Sequence, residues 1–146
     1  MFDDSPQAVH GGRTSADVHA LPEGCRVEVL DGTPIVKPRP MPIHRRVVRR
    51  LAARVEARLP QLWQLETGID VVLAEDPLVY MSPDIVVFGV GTPLDTGPIH
   101  GEAVLLAIDV LLKGRRRDEH ESKRTAYAAA GVPHYWRVEV DLRALD

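Results

Sequence analysis

The stretch EAVLLAIDVLL, from Glu102 to Leu112, constrains the fold more than any other part of the chain. It is apolar for too long to be half exposed, because a strand with one wet face alternates polar and apolar side chains. It reads instead as a central strand buried on both faces, and such strands belong to sheets covered by other elements. Asp109 sits inside this run, where burial and strand propensity both disfavour an aspartate.

The flanking sequence supplies the covering elements. Residues 1–20 are polar, rich in Gly, Ser and Asp, and without periodicity, which predicts a flexible leader. Residues 21–146 then form one domain, large enough to bury a core without staples. CRVEVLDGTPIVK holds two short β-rich runs around Asp31-Gly32, a dipeptide that favours a hairpin turn. From about Pro42 to Leu59, the residues Ile43, Val47, Val48, Leu51, Val55 and Leu59 recur at spacings of three and four, predicting a helix with one apolar stripe that Pro60 ends. IDVVLA from Ile69 and DIVVFGV from Asp84 read as strands, with EDPLVYMSP as the link between them. A second helix is expected from about Asp118 to Ala130, stopped by Gly131 with Pro133 beyond, and HYWRVEV closes as a strand. The order is β-hairpin, α, β, β, β, α, β. It predicts an α/β fold, a mixed sheet flanked by helices with an N-terminal hairpin.

Composition removes several kinds of chemistry. The one cysteine, Cys25, excludes a disulfide framework and any multi-cysteine zinc site. The six histidines are scattered, and no Gly-rich phosphate loop, Gly-x-Ser-x-Gly elbow or His-Glu-x-x-His helix is present. No run reaches the roughly 18 apolar residues of a membrane span, and the N-terminus lacks the basic-then-apolar order of a signal peptide. A cytoplasmic location without membrane partners is expected. The net charge of −3 makes no general case for nucleic acid. Its distribution says more, for Arg45, Arg46, Arg49, Arg50, Arg54 and Arg58 crowd the first helix and Arg115, Arg116 and Arg117 follow the central run. The helix arginines read either as a solvated outer face or as phosphate contacts. The second cluster is better placed to clamp a phosphate. No aromatic residues interleave with either cluster, which argues against a stacking platform for single strands; Trp63, Tyr135 and Trp136 read as packing.

Three carboxylates interrupt apolar strand sequence: Glu28 in VEV, Asp84 between Pro83 and IVVF, and Asp109. For Asp84 the bland reading is a turn at a strand start, for Glu28 a cross-strand ion pair, and for Asp109 a salt bridge to a nearby arginine. The alternative is a strand end opening onto a metal site, since a divalent cation neutralises clustered carboxylates. Mg²⁺, or Mn²⁺, suits an oxygen shell that keeps several waters. Asp84 and Asp109 are the candidate ligands. An ammonium is available from Lys113, on the same strand face as Asp109, or from Lys123, one helical turn before Tyr127. Beside a metal, either one can orient a water and stabilise charge on a phosphate. Together these are the parts of metal-assisted phosphodiester hydrolysis.

The segments RVEVLDG, PIHRRVVRRLA, SPDIVVF, AIDV and ESKRTAYAAAGVPHYWRVE occur in the order found in the Uma-two family of restriction endonucleases, within the PD-(D/E)XK nuclease superfamily. The chain resembles that family from about Leu21 to Glu139. The resemblance implies a restriction-endonuclease-like core and a Mg²⁺-dependent endonuclease acting on DNA, with Asp84, Asp109, Lys123 and Glu28 as catalytic residues. Asp84 matches the proline-linked aspartate and Asp109 the second acidic position, where the family generally carries glutamate. Lys123 matches the lysine on the helix after the core strand, Glu28 the glutamate of the N-terminal segment, and His44 the histidine opening the first helix. Arg115, Arg116, Arg117 and His44 are the expected contacts to duplex DNA, and cutting both strands implies a homodimer by symmetry. The chain departs from the pattern at Leu112 and Lys113, which stand where serine and proline are usual, and it ends at Asp146, soon after the HYW strand. These departures motivate a rival expectation, a copy without turnover kept as a nucleic-acid-binding or protein-interaction module.

Overall fold

A computed structural model describes residues 14–22, 26–113 and 120–144. In chain order its elements are helix α1 (Ser15–His19), strands β1 (Val27–Leu30) and β2 (Thr33–Val36), helix α2 (Pro42–Glu56), and strands β3 (Trp63–Thr67), β4 (Val71–Glu75), β5 (Leu78–Met81) and β6 (Ile85–Gly89). The two-residue strand β7 (Ile99–His100) follows, then β8 (Val104–Leu112), helix α3 (His120–Ala129) and strand β9 (His134–Val140). None of the described helices is long and apolar enough to cross a membrane.

The strands divide between two sheets, not the one expected. The first has the order β2-β1-β5-β4-β7 and the second β3-β6-β8-β9. Both are mixed, since β4 runs parallel to β7 and β8 runs parallel to β9 while the other pairs are antiparallel. The apolar run from Val104 to Leu112 is interior to the second sheet, as its sequence requires, with Ile108 paired to Ile85 on one side and to Trp136 on the other.

Strand alternation assigns each face to a layer. Ile85 and Val87 of β6 and Leu106, Ile108, Val110 and Leu112 of β8 pack against the apolar stripe of α2. The opposite face carries Val86, Phe88, Val104 and Ala107, which meet Val71, Val79 and Met81 of the first sheet and Tyr127 of α3. The far side of the first sheet packs Val27, Val29, Val72, Leu78 and Tyr80 against Val18 of α1. The layers therefore run α2, second sheet, first sheet, α1, with α3 packed into the middle one.

Several expected elements stand where the sequence puts them. Asp31 (φ 48°) and Gly32 (φ 83°) both adopt positive φ in the hairpin turn, the requirement that makes Asp-Gly favourable there. Helix α2 carries the expected stripe but its regular part ends at Glu56, and Gly131 (φ 80°) terminates α3. Two expectations are corrected. EDPLVYMSP is not only a link: LVYM forms the fully buried β5, hydrogen-bonded to both β1 and β4. Its flanking Asp-Pro and Ser-Pro pairs are loop signals on either side of a strand only four residues long. Within the presumed leader, Ser15–His19 form a helix whose Thr14 and Asp17 make reciprocal capping bonds; residues 1–13 lie outside the described residues. WQLET, given no element from sequence, is β3.

Ile108 has no exposed surface and faces α2. Ile108→Ala should cost about 2–5 kcal/mol, read as a lower midpoint in urea denaturation. A loss under roughly 1 kcal/mol would mean that this face is not closed by α2.

Candidate active site

Alternation also brings the carboxylates together. In β1, Val27 and Val29 face α1, so Glu28 between them points into the middle layer and is fully buried. In β8, Asp109 lies on the opposite face from Ile108 and Val110 and turns towards α3. From α3 come the two buried side chains Lys123 and Tyr127, one turn apart. Asp84 caps the mouth of β6, its own N–H donating to the Ile108 carbonyl at 2.9 Å.

Lys123 lies between two of these acids. Its Nζ is 2.5 Å from Glu28 Oε1 and 3.4 Å from Asp109 Oδ2. The Tyr135 hydroxyl donates to the same Asp109 oxygen at 2.7 Å while its ring stacks on Tyr127, centroids 4.6 Å apart. The second Glu28 oxygen accepts the Ser82 N–H at 3.0 Å and lies 3.8 Å from Lys37 Nζ. Lys37 Nζ also donates to the Ser82 carbonyl, at 2.6 Å. Asp84 Oδ2 accepts the Val110 N–H at 2.7 Å and lies 3.3 Å from His44 Nε2; Asp84 Oδ1 is 3.8 Å from Arg26 Nη2. His44 Nε2 is also 2.9 Å from the Val110 carbonyl oxygen. With two acceptors on it, Nε2 must carry the hydrogen.

These neighbours set the charge states. Burial alone would push the Asp84 carboxyl up, but the His44 hydrogen bond, the Lys37 charge and the Val110 N–H outweigh it and hold Asp84 below the ordinary carboxylate value. Burial would likewise push the Lys123 ammonium down; Asp109 and Glu28 outweigh that and hold it above the ordinary lysine value. At neutral pH Asp84 is ionised and Lys123 is a cation, a hydrogen-bond donor and not a base. Burial, then Asp109, drive the Tyr135 hydroxyl well above its ordinary value, so it stays protonated and donates.

Asp84, Asp109, Lys123 and His44 line one pocket of about 100 Å³. Asp109 Oδ1 is buried without a hydrogen-bond partner among the described residues. Two carboxylates on one small cavity, one of them with a free oxygen, fit a hard divalent cation that keeps water or substrate in its remaining positions. They do not fit a closed zinc cage, because no group of three or more His, Cys, Asp or Glu among the described residues is placed to hold a metal.

Of the residues singled out from sequence, Glu28, Asp84, Asp109 and Lys123 come together. Lys113 does not: it is exposed at the end of β8 and pairs with Asp141 at 3.4 Å. His44 belongs to the carboxylate cluster and is largely buried, not a free surface contact. Arg115, Arg116, Arg117 and Cys25 lie outside the described residues. The partner of Asp109 is a lysine and a tyrosine, not an arginine, and Tyr135 is more than packing. Arg26 and Lys37 were missed altogether. A signal for them existed, because they flank the hairpin symmetrically and its two-residue turn pairs their backbones, Lys37 N–H donating to the Arg26 carbonyl at 2.9 Å.

The model of the Uma2 family, described as "Putative restriction endonuclease", matches residues 15–146. Among solved structures, a putative nuclease belonging to DUF820 from Anabaena variabilis ATCC 29413 is similar with a TM-score of 0.65 at 17% identity, covering 87% of this chain and 74% of that one. At that identity the likeness shows the fold, which is the restriction-endonuclease-like α/β architecture expected from the sequence. No curated protein matches the chain.

Two outcomes follow from the buried charges. Lys123→Met should destabilise by about 3–5 kcal/mol, because Glu28 is left largely unpaired in the interior; Glu28→Leu/Lys123→Met should recover part of that loss in a denaturant double-mutant cycle. Asp84 has a lowered folded pKa, so the stability it contributes is complete above the ordinary carboxylate value of 3.8 and is lost as pH falls through the lower folded value. Asp84→Asn should therefore flatten the acid limb of stability against pH. An unchanged acid limb would show that Asp84 is not held ionised by its neighbours.

Proposed function

This chain belongs to the Uma2 family of restriction endonucleases, and from that premise we propose that it is an endonuclease hydrolysing DNA phosphodiester bonds with Mg²⁺ or Mn²⁺. The observation that carries the reading is the unpartnered buried oxygen of Asp109, on the pocket that Asp84 shares. Asp84 and Asp109 would hold the cation. Bound there, a divalent cation supplies Lewis-acid polarisation of the phosphate and a more acidic water.

The chain's own groups do the remainder. Lys123, kept cationic, orients the attacking water through an N–H donor and offsets the negative charge that builds on phosphate oxygens. Tyr135 donates to Asp109 Oδ2, so Oδ1, without a partner among the described residues, is the oxygen that would be left to hold a cation. His44 and the Val110 N–H fix Asp84 Oδ2, leaving Oδ1 to Arg26 or the cation. Glu28 stands behind Lys123 and aims its ammonium, a positioning residue. Concerted cleavage of both strands of a duplex would suit two such sites related by a two-fold axis, and so a homodimer.

A second reading is favoured by the cations that already face each acid, Lys123 and Lys37 at Glu28, Lys123 at Asp109 and Arg26 at Asp84. A site so neutralised suits a nucleic-acid-binding module without turnover.

Supercoiled-plasmid nicking separates the two. Wild-type protein should nick with Mg²⁺ or Mn²⁺, and both EDTA and Asp84→Asn should lower the rate by roughly 100-fold or more, with the variant folded by circular dichroism. The cation should also raise the thermal midpoint of the wild type and not of the variant. Nicking by Asp84→Asn at the wild-type rate would remove Asp84 from the site. Folded protein that binds DNA and never nicks would establish the second reading.

A further inference from the structure

A second, larger concavity opens from the same carboxylate. It is a groove of about 970 Å³ between α2 and the end of β3, running to Asp84. One wall is the exposed side of α2 carrying Arg45, Arg46 and Arg49, and Arg26 stands where the groove meets Asp84. The other wall ends at Gly68, whose N–H donates to the Asp84 carbonyl at 3.2 Å. Gly68 has positive φ and open space where a Cβ would stand, so no side chain projects at that point of the rim.

Arg45, Arg46 and Arg49 form no ion pair among the described residues, although Glu56 and Glu66 also line the groove. Three guanidinium groups without acid partners, on one wall of an open trough, leave their donors for an anion from outside. Arg45 and Arg49 are four residues apart on the helix, about 6 Å along the axis, and a B-form strand advances about 3.4 Å per nucleotide. Arginines at that interval meet phosphates one or two nucleotides apart. Among the described residues no Phe, Tyr or Trp lines the groove, so it offers no broad platform on which bases could stack.

We propose that this groove holds the sugar-phosphate backbone of duplex DNA beside the phosphate under attack, with Arg45, Arg46 and Arg49 as sequence-independent contacts. The arginine-rich face of α2 is then divided by function. Arg45, Arg46 and Arg49 track the strand, while Arg50 and Arg54 are on the same helix but do not line the groove and serve only as solvated charge. The proposal rests on the nuclease reading for the place of the scissile phosphate, but binding can be measured without cleavage.

The test compares Arg45→Gln/Arg49→Gln with Arg50→Gln/Arg54→Gln, two exposed pairs with equal loss of charge on one helix. Binding of a labelled duplex of arbitrary sequence is titrated by anisotropy in EDTA across a salt series. The groove pair should bind more weakly on every sequence, with a salt slope smaller by about 1 for each arginine; the control pair should keep the wild-type slope. Equal loss in both pairs would reduce the effect to net charge and overturn the groove. Wild-type protein that fails to bind the duplex at low salt, or that prefers a single strand in competition, would overturn it as well. Plasmid nicking distinguishes the two failures. Active enzyme with an unaffected groove pair sinks the groove alone, and a groove-pair loss in a protein that never nicks sinks only the catalytic reading.

Discussion

The Lys123 ammonium, only 7% exposed, stays charged inside the protein because Glu28 and Asp109 meet it there, and that requirement reaches three elements at once. Glu28 comes from the hairpin strand β1, Asp109 from the central strand β8 and Lys123 from α3. Removing two or three charges from water is expensive, and the attraction between them recovers that cost only if geometry is kept. The pairing thus specifies how the first sheet, the second sheet and α3 meet. Apolar packing alone would tolerate small slips between these layers. A misplaced partner for a buried ammonium would not be tolerated, so stability of the fold and integrity of the site rest on the same contacts.

Much of this was legible in the sequence, for reasons that can be named. An eleven-residue stretch from Glu102 to Leu112 with charge only at Glu102 and Asp109 fixed a central strand and marked Asp109 as needing a partner. Asp31-Gly32 fixed the hairpin, and the spacing from Ile43 to Val55 fixed α2. What escaped were elements whose local signal was weak or opposed. β5 is four residues between two proline-containing loops, and its strand character comes from pairing with β1 and β4, which no local pattern records. β3 alternates poorly, with Leu65 its only buried residue. The division into two sheets was invisible for a similar reason, since which strands pair is decided by long-range register. At the site, the residue types that contradict burial stood out, while Arg26, Lys37 and Tyr135 did not, because a charged residue beside a hairpin or a tyrosine in a strand is unremarkable until the chain is folded.

The site's residues divide between two sources of order. Asp109 comes from an interior strand and Asp84 from the residue before another, its backbone bonded to Ile108 on one side and Gly68 on the other, a rigid base for groups that must hold a geometry. Lys123 and His44 come from helices laid on opposite faces of that sheet and reach it from either side. Arg26 and Lys37 close the cluster from the open end of the hairpin. Because β8 and β9 run parallel in register, Tyr135 faces Ala107 across the ladder, and its long side chain still reaches Asp109 two residues on. A hydroxyl delivered that way costs no extra element.

The backbone of one residue ties α2 to Asp84. Val110 is held at both ends of its polar backbone, its N–H by Asp84 and its carbonyl by His44, and His44 immediately precedes the first of the groove arginines. The His44 imidazole is therefore a direct polar link between α2 and the carboxylate at the mouth of β6. The wall of the groove and the carboxylate at its end are thus placed by one shared side chain, so the position of the arginines relative to Asp84 is set by hydrogen bonds as well as by apolar packing.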